Sequence, residues 1–264
     1  MTDKPFAINK LMDSHLPTLL FKYRSLSPQN NQKIYTYNLL TKGEIYFAKL
    51  DELNDPEDFF FELNKADYHL LSPFEAAKYP GQKITQNSDG TGIYLLDVGI
   101  RTKRIRDVLN KAERGIFSIT GRNNNPKMFE HYTENGNGIC IGFAWEEMDL
   151  WYHGSFPPQK QVPKKVTYLE EPLKISERPE EYIEAFAAKH SKWAYEEEWR
   201  FFHKHGCYAT KEVRRAIKQI VFGVNIAAKD KAMVKESVKD LDILFFQVIP
   251  EIVEGNMKLI PLNS

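Results

Sequence analysis

Short apolar runs of five to nine residues are the feature that most constrains the fold of this chain. Rich in β-branched and aromatic residues, they predict strands. The runs are LLFKYRSL at 19–26, EIYFAKL at 44–50, RGIFSIT at 114–120, ICIGF at 139–143, QIVFGVN at 219–225 and DILFFQVIP at 242–250. Helical patterns separate only some of them, whereas a doubly wound parallel sheet needs regular alternation. The sequence therefore predicts an α+β fold, a single mixed-sheet domain with flanking helices.

Composition sets the size and the charge of this domain. The chain has 264 residues, of which 42% are hydrophobic and 13% aromatic, so we expect residues 1–264 to form one globular domain around a sizeable core. Basic and acidic residues both number 36. The net charge is zero, which gives no overall attraction to nucleic acid or anionic lipid.

Cysteine content and the N-terminal segment predict the compartment. Cys140 and Cys207 are too few for a disulfide scaffold. The start, MTDKPFAINK, lacks the features of a signal peptide, and no run approaches the roughly 20 apolar residues of a membrane span. We expect a cytoplasmic protein without a membrane partner.

The segment ELNDPEDFFFEL, residues 52–63, places acids where neither turn chemistry nor burial explains them. Asn54, Asp55 and Pro56 form a turn signal, and Glu57 and Asp58 lead directly into three phenylalanines. One interpretation is a structural turn, and another is a divalent cation site, since hard oxygen ligands suit magnesium or calcium. We predict that Asn54, Asp55 and Glu57 line a ligand site without a metal.

The segment EEEWRFF, residues 196–202, is the second candidate. If it is extended, Glu196, Glu198 and Arg200 share one face, because side chains alternate along a strand. Arg200 would keep a neighbouring carboxylate ionised, and such a group can orient a ribose hydroxyl or stabilise an oxocarbenium-like centre. The alternative is an ordinary ion pair on an edge strand. We predict catalytic roles for all three residues.

Two further groups complete the predicted site. Lys22, Tyr23 and Arg24 place two cations beside an aromatic ring, which suits a pyrophosphate under a stacked base. His131 and Tyr132 lie on a helix after the polar loop GRNNNP, where they could face a cleft as donor or proton-transfer groups or be packing residues. We predict a catalytic role for His131 and a ligand-binding role for Tyr132.

Other chemistries have weaker support. Ser118 has no general base near it in sequence, so we expect it to bind ligand rather than act as a nucleophile. His203, His205 and Cys207 could hold zinc, but Gly206 interrupts the strand, and we expect no metal. Loops at 81–92 and 121–125 are rich in Gly and Asn, which predicts mobility.

Five segments resemble a bacterial family catalogued as domain of unknown function number twenty-nine seventy-one. They are LFKYRSL, YFAKLDELNDPED, FSIT followed by KMFEHYTENGNGICIGF, KWAYEEEWRFF and QIVFGVN. Where the family often has Met-Trp-x-His-Tyr, this chain has Met128, Phe129, Glu130, His131 and Tyr132. The family often lies near mobile or defence genes, which implies a role in phage defence or as a toxin.

The order of residues is also similar, more distantly, to that of ADP-ribosyltransferases. The resemblance implies that Lys22 and Arg24 meet the phosphates of NAD, that Tyr46 packs on the nicotinamide side, and that Glu198 orients the ribose. It implies a transferase or effector acting on a protein, nucleic acid or small-molecule acceptor, with an accessory or neutralising partner. The alternatives are a non-catalytic nucleotide- or partner-binding module and a metal-dependent nuclease built on Asp55, Glu57 and Glu198.

Overall fold

The computed structural model describes residues 16–49, 52–53, 55, 58–63, 84–86, 92–94, 115–151, 160–175, 182–203, 207–209 and 211–262. The strands are β1 (Leu19–Ser25), β2 (Glu44–Tyr46), β3 (Phe61–Leu63), β4 (Ile84–Gln86), β5 (Gly92–Tyr94), β6 (Gly115–Thr120), β7 (Gly138–Ala144), β8 (Lys164–Lys165), β9 (Thr167–Leu169), β10 (Leu173–Ile175), β11 (Ala188–His190), β12 (Glu198–His203), β13 (Cys207–Ala209), β14 (Ile217–Phe222), β15 (Leu244–Val253) and β16 (Asn256–Pro261). The α-helices are α1 (Gln32–Lys42), α2 (Pro126–Tyr132), α3 (Tyr182–Phe186), α4 (Lys211–Arg215) and α5 (Ala228–Ser237).

Within the described part of the chain, eight strands form one mixed sheet. Their order is β16-β15-β14-β7-β1-β6-β12-β8. The β14–β15 pair is parallel and the other neighbours are antiparallel. The predicted α+β class with a mixed sheet is confirmed.

Helices cover both faces of this sheet. On one face α1, α4 and α5 contribute Leu39, Leu40, Val213 and Val234 to a core that includes Phe117. On the other face Met128 and Phe129 of α2 pack against Phe21 and Tyr23 of β1 and Cys140 of β7. Strand β7, the predicted run ICIGF, lies between β1 and β14 with only its last residue partly exposed, as expected for a central strand.

Strand β1 is paired unevenly with its two neighbours. It pairs with β7 at seven positions but with β6 at a single position, Phe21 opposite Thr120. The backbones of β1 and β6 therefore separate beyond that pair, which leaves space inside the sheet.

Three sequence-based expectations about elements are wrong. Strand β2 pairs with β13 in a separate two-stranded sheet, and only Ala48 bridges to Ile116 of the main sheet. The amphipathic pattern of residues 179–190 predicts a helix that runs through His190, but Ala188–His190 is strand β11. Glu196 ends the 3-10 helix Ser191–Glu196, and strand β12 begins two residues later.

Candidate active site

A pocket opens where β1 separates from β6. Its volume is about 200 Å³. Seven of the predicted site residues line it: Lys22, Tyr23, Asp55, Ser118, Tyr132, Glu196 and Glu198. The fold therefore brings predicted site residues from distant segments of the chain into one pocket. Their individual roles stay predictions.

Glu196 and Glu198 converge although only Glu198 belongs to the strand. Glu197 between them has φ 44°, in the left-handed region that non-glycine residues seldom occupy. This reversal lets both carboxylates reach the ammonium of Lys189, with Nζ 2.6 Å from Glu196 Oε2 and 3.2 Å from Glu198 Oε2. The expectation that a regular strand aligns them was wrong, and a turn achieves the same proximity.

Arg200 holds Glu198 from behind the pocket. It is fully buried and absent from the pocket lining. Its Nε donates to Glu198 Oε1 at 2.8 Å, and a second nitrogen donates to both oxygens of Asp58 at 2.8 and 3.0 Å. Arg200 thus reaches the pocket only through Glu198, and its predicted catalytic role stays a prediction.

Asp58 reaches this cluster from the acidic segment, and a strained backbone presents it. Phe59 has φ 60°, which costs about 1–2 kcal/mol for a residue with a side chain. Its N–H donates to Asp58 Oδ1 at 2.8 Å, and its ring lies 5.4 Å from the Arg200 guanidinium. The three phenylalanines therefore do more than fill the core, since one of them anchors the carboxylate that binds Arg200.

The electrostatic environment shifts the pKa values of the two glutamates in opposite directions. Burial acts to raise the pKa of Glu198, but Arg200 and Lys189 outweigh it and hold that pKa well below its usual range. Burial also raises the pKa of Glu196, and repulsion from Glu198 adds to the rise, so the net shift is upward. Glu198 is therefore the ionised member of the pair, and Glu196 is the member that holds its proton more strongly.

Tyr132 completes the proton-carrying part of the pocket. Its hydroxyl donates to Glu196 Oε1 at 2.6 Å, and burial raises its pKa, so it stays protonated. Helix α2 is fixed in place by Asn125, whose Oδ1 caps its first N–H groups and whose amide donates to the Tyr195 carbonyl at 2.6 Å. The same loop thereby connects the Tyr132 helix to the turn that carries Glu196.

Lys22 occupies the gap between β1 and β6. Its Nζ donates to the backbone carbonyl of Ser118 at 2.8 Å and lies 5.3 Å from the centre of the Phe117 ring. Burial, aided by the nearby charge of Arg24, lowers the pKa of Lys22 to about 7. Lys22 therefore spends much of its time uncharged at neutral pH, unlike the fixed cation expected for a phosphate contact.

The remaining predicted residues lie elsewhere. His131 is exposed outside the pocket, with Nδ1 3.0 Å from the Tyr195 hydroxyl, so it does not face the cleft. Tyr46 is also outside the pocket lining and exposed, although its hydroxyl donates at 2.5 Å to Glu52, which lines the pocket. Asn54 and Glu57 lie outside the described residues.

Arg24 is half-buried beside the site rather than in its lining. Burial lowers the pKa of its guanidinium to about 10, and its Nε has no hydrogen-bond partner among the described residues. Phe21, Thr120 and Glu198 lie side by side on adjacent strands. With strands about 4.8 Å apart and about 3.3 Å between residues, Arg24 is roughly 14 Å from Glu198, within the span of one ligand.

Sequence reasoning missed Lys189 and Trp193. Lys189 is 4% exposed and follows the apolar run AFAA, and a lysine in such a setting is buried only when paired. That run was the available signal. Trp193 lines the pocket, and its buried indole N–H has no acceptor within the described structure, so it is free to bind a ligand.

The described segments contain neither a cluster of metal ligands nor a membrane-spanning helix. No group of three or more His, Cys, Asp or Glu side chains there could hold an ion. None of the helices described is long and apolar enough to cross a bilayer. His205 and the Cys207 side chain, proposed as zinc ligands, lie outside the described residues.

Residues 128–201 match the model of a family described as Protein of unknown function (DUF2971). This is the family whose motifs the chain resembles, and the matched stretch contains Tyr132, Lys189, Glu196 and Glu198. No curated protein and no solved structure matches the chain. The match supports the family resemblance over this stretch, and the more distant similarity to ADP-ribosyltransferases stays a prediction.

Proposed function

We propose that this pocket is the active site of an ADP-ribosyltransferase-like enzyme that cleaves the nicotinamide–ribose bond of NAD and transfers the ribosyl group. One observation carries the proposal. Two buried carboxylates converge on Lys189 at a pocket wall, and their pKa values are shifted in opposite directions. Such a pair can divide the work of charge stabilisation and proton transfer.

The ionised Glu198 would act on the donor. Departure of nicotinamide takes the electron pair of the C–N bond and leaves positive charge on the ribose, which a fixed carboxylate stabilises. Arg200 and Lys189 keep Glu198 in one orientation, so little reorganisation is needed during the reaction.

Glu196 would act on the acceptor. Because burial and Glu198 raise its pKa, it is a stronger base than an ordinary carboxylate and can take the proton that the attacking group loses. The Tyr132 hydroxyl, bonded to Glu196, orients it for this step.

Pocket size limits which part of NAD fits inside. A volume of about 200 Å³ is below the roughly 300–1,000 Å³ of pockets that enclose a whole drug-sized ligand. We therefore assign the nicotinamide-ribose part to the pocket, with the adenosine part outside it.

The second candidate is a non-catalytic binding module. All four carboxylate oxygens of Glu196 and Glu198 already accept hydrogen bonds from Tyr132, Lys189 or Arg200. Carboxylates already held by these donors favour recognition without chemistry. Direct measurement of turnover decides between the two.

The test compares Glu198→Gln with Glu197→Gln by NAD consumption and NAD binding. Glu197 is the matched control because it lies between the two candidates but pairs with Arg122 at 2.5 Å with 41% of its side chain exposed. We expect Glu198→Gln to lose a factor of about 10² or more in turnover and to keep NAD binding, and Glu197→Gln to stay active.

Because Glu198 is buried between two cations, the Gln variant must be assayed below its unfolding temperature, checked by circular dichroism. NAD bound by the natural chain but never consumed, in the presence of cell lysate as acceptor, would favour the binding module. A chain that neither binds nor consumes NAD would contradict both NAD-based proposals.

A further inference from the structure

Lys22 and Lys189 share the pocket but have opposite surroundings. Lys189 contacts Glu196 and Glu198 and lies 3.9 Å from Asp58. Lys22 forms no ion pair with any described residue, and its ammonium group bonds to a neutral backbone carbonyl. The pocket therefore contains one lysine stabilised as a cation and one that is not.

The location of Lys22 explains why no carboxylate neutralises it. It projects into the space where β1 leaves β6, between the Phe117 ring and the Ser118 carbonyl. Glu198 and Glu196 act on it only from a distance, and the positive charges of Arg24 and Lys189 oppose them. The neutral amine is accordingly well populated near pH 7, and a neutral amine has the lone pair that nucleophilic attack needs.

We propose that Lys22 is a nucleophilic amine at which an aldehyde or ketone group of the pocket's ligand condenses to an imine. The amine nitrogen forms a bond to the carbonyl carbon, and the carbonyl oxygen leaves as water with two protons from the nitrogen. Glu196 and Tyr132 line the same pocket and can relay these protons. Hydrolysis by water reverses the step and frees the lysine.

An open-chain sugar is the ligand class that fits this amine best, because it combines an aldehyde with hydroxyl groups that carboxylates and Trp193 can bind. The inference does not depend on the proposed glycosyl transfer. It does add a connection to it, since attack by water in place of the acceptor gives a free ribose, whose anomeric carbon is a latent aldehyde.

Reductive trapping tests this directly. The intact chain is treated at pH 7 with glycolaldehyde and cyanoborohydride, which reduces an imine to a stable amine, and peptides are mapped by mass spectrometry over time. A lysine amine in water has a pKa of about 10.4, so only about one in 10³ is neutral at pH 7. We expect Lys22 to be labelled about 10² to 10³ times faster than the exposed Lys229, and at a rate similar to that of the α-amino group.

The Lys22→Arg variant is the control and should lose this label alone. Ribose added as a competitor should slow labelling of Lys22 and not of Lys229. Labelling of Lys22 no faster than Lys229 would overturn the proposal, whether or not NAD is consumed. Conversely, trapping at Lys22 without any NAD turnover would leave this inference standing and remove the proposed function.

Discussion

At the residue scale, Lys189 contacts three carboxylates of the candidate site. Burial acts to lower its pKa, but three carboxylates outweigh this and raise it above the ordinary lysine value. Its ammonium also lies 5.2 Å from the centre of the Trp193 ring. A cation that stays charged in a buried position can hold two glutamates close together, which their mutual repulsion otherwise opposes.

The pKa of Lys22 is shifted in the opposite direction, which predicts a pH dependence of stability. Its folded-state pKa is about 7, whereas the unfolded chain holds the proton up to about pH 10.4. Between these values the unfolded state binds more protons, so the free energy of unfolding should rise with pH, by at most about 1.4 kcal/mol per pH unit. Below pH 7 both states are protonated, and the cost of burying the charge is fully present.

The measurement is urea unfolding at pH 7, 8 and 9 for the natural chain and for Lys22→Met. Other groups titrate equally in both proteins, so the difference between the two isolates Lys22. We expect a steeper rise with pH in the natural chain. Parallel pH profiles would show that Lys22 carries an ordinary pKa.

At the scale of elements, helix α2 depends on its N-cap residue, Asn125, and on its first residue, Pro126. Proline supplies a helical φ where no N–H is needed, and Asn125 Oδ1 accepts from the N–H groups of Lys127 at 3.0 Å and Met128 at 3.4 Å. The Asn125 backbone N–H also donates to the Tyr23 hydroxyl. The cap is therefore joined to β1 as well as to the Glu196 turn.

We expect Asn125→Ala to lower the free energy of unfolding by about 2–4 kcal/mol. Loss of the cap accounts for about 1 kcal/mol, and the partly buried Tyr195 carbonyl left without its donor accounts for about 1–3 more. Asn125→Ser keeps a capping oxygen and loses the amide donor, so it should lie between the natural chain and the alanine variant in urea unfolding. Equal losses in both variants would mean that the cap contributes nothing.

The loop before this helix shows how tertiary contacts change a local expectation. Gly and Asn in 121–125 predicted a mobile lid. In the structure the Gly121 N–H donates to the Glu197 carbonyl at 3.2 Å, and Asn124 exchanges hydrogen bonds with Met257 at 2.8 and 2.9 Å. These partners are 70 or more residues away in the chain, so local composition could not reveal the anchoring.

At the scale of the whole molecule, the charged cluster joins segments that are far apart in sequence. Asp58, Lys189, Glu196, Glu198 and Arg200 are all buried, and each bonds to another member. Arg200 also donates to the Phe186 carbonyl at the end of α3. The cluster therefore links the acidic segment, β11, the 3-10 helix and β12 to the edge of the main sheet.

Removing Lys189 should accordingly cost far more than removing an exposed lysine. We expect Lys189→Met to lower the free energy of unfolding by about 3–5 kcal/mol, because buried carboxylates lose their cation. Lys164→Met is the matched control, since Lys164 pairs with Glu184 at 2.7 Å with 39% of its side chain exposed and should cost at most about 1 kcal/mol.

Adding Glu196→Gln to Lys189→Met should recover part of the loss, because the charge left unpaired is removed as well. Urea unfolding of the natural chain, Lys189→Met, Glu196→Gln and the double variant measures this coupling. Similar losses for the two single lysine variants would show that the buried cluster does not stabilise the fold.

The sequence by itself determined the α+β class, the central position of β7 and seven residues of the pocket lining. These depend on local patterns: hydrophobic period, turn chemistry and charges beside apolar strands. It also marked Asp58 as a carboxylate that burial alone does not explain, without showing its partner.

Only the tertiary structure decided that Lys189 pairs with both glutamates, that Arg200 lies behind the pocket, and that His131 and Tyr46 lie outside it. Periodicity indicates which residues of one element share a face, but not which faces meet. The left-handed turn at Glu197 and the separation of β1 from β6 arise from contacts between distant segments. Those contacts, rather than any local pattern, bring five buried charged residues together in one cluster. They also place this cluster beside Lys22, whose pKa is lowered to about 7.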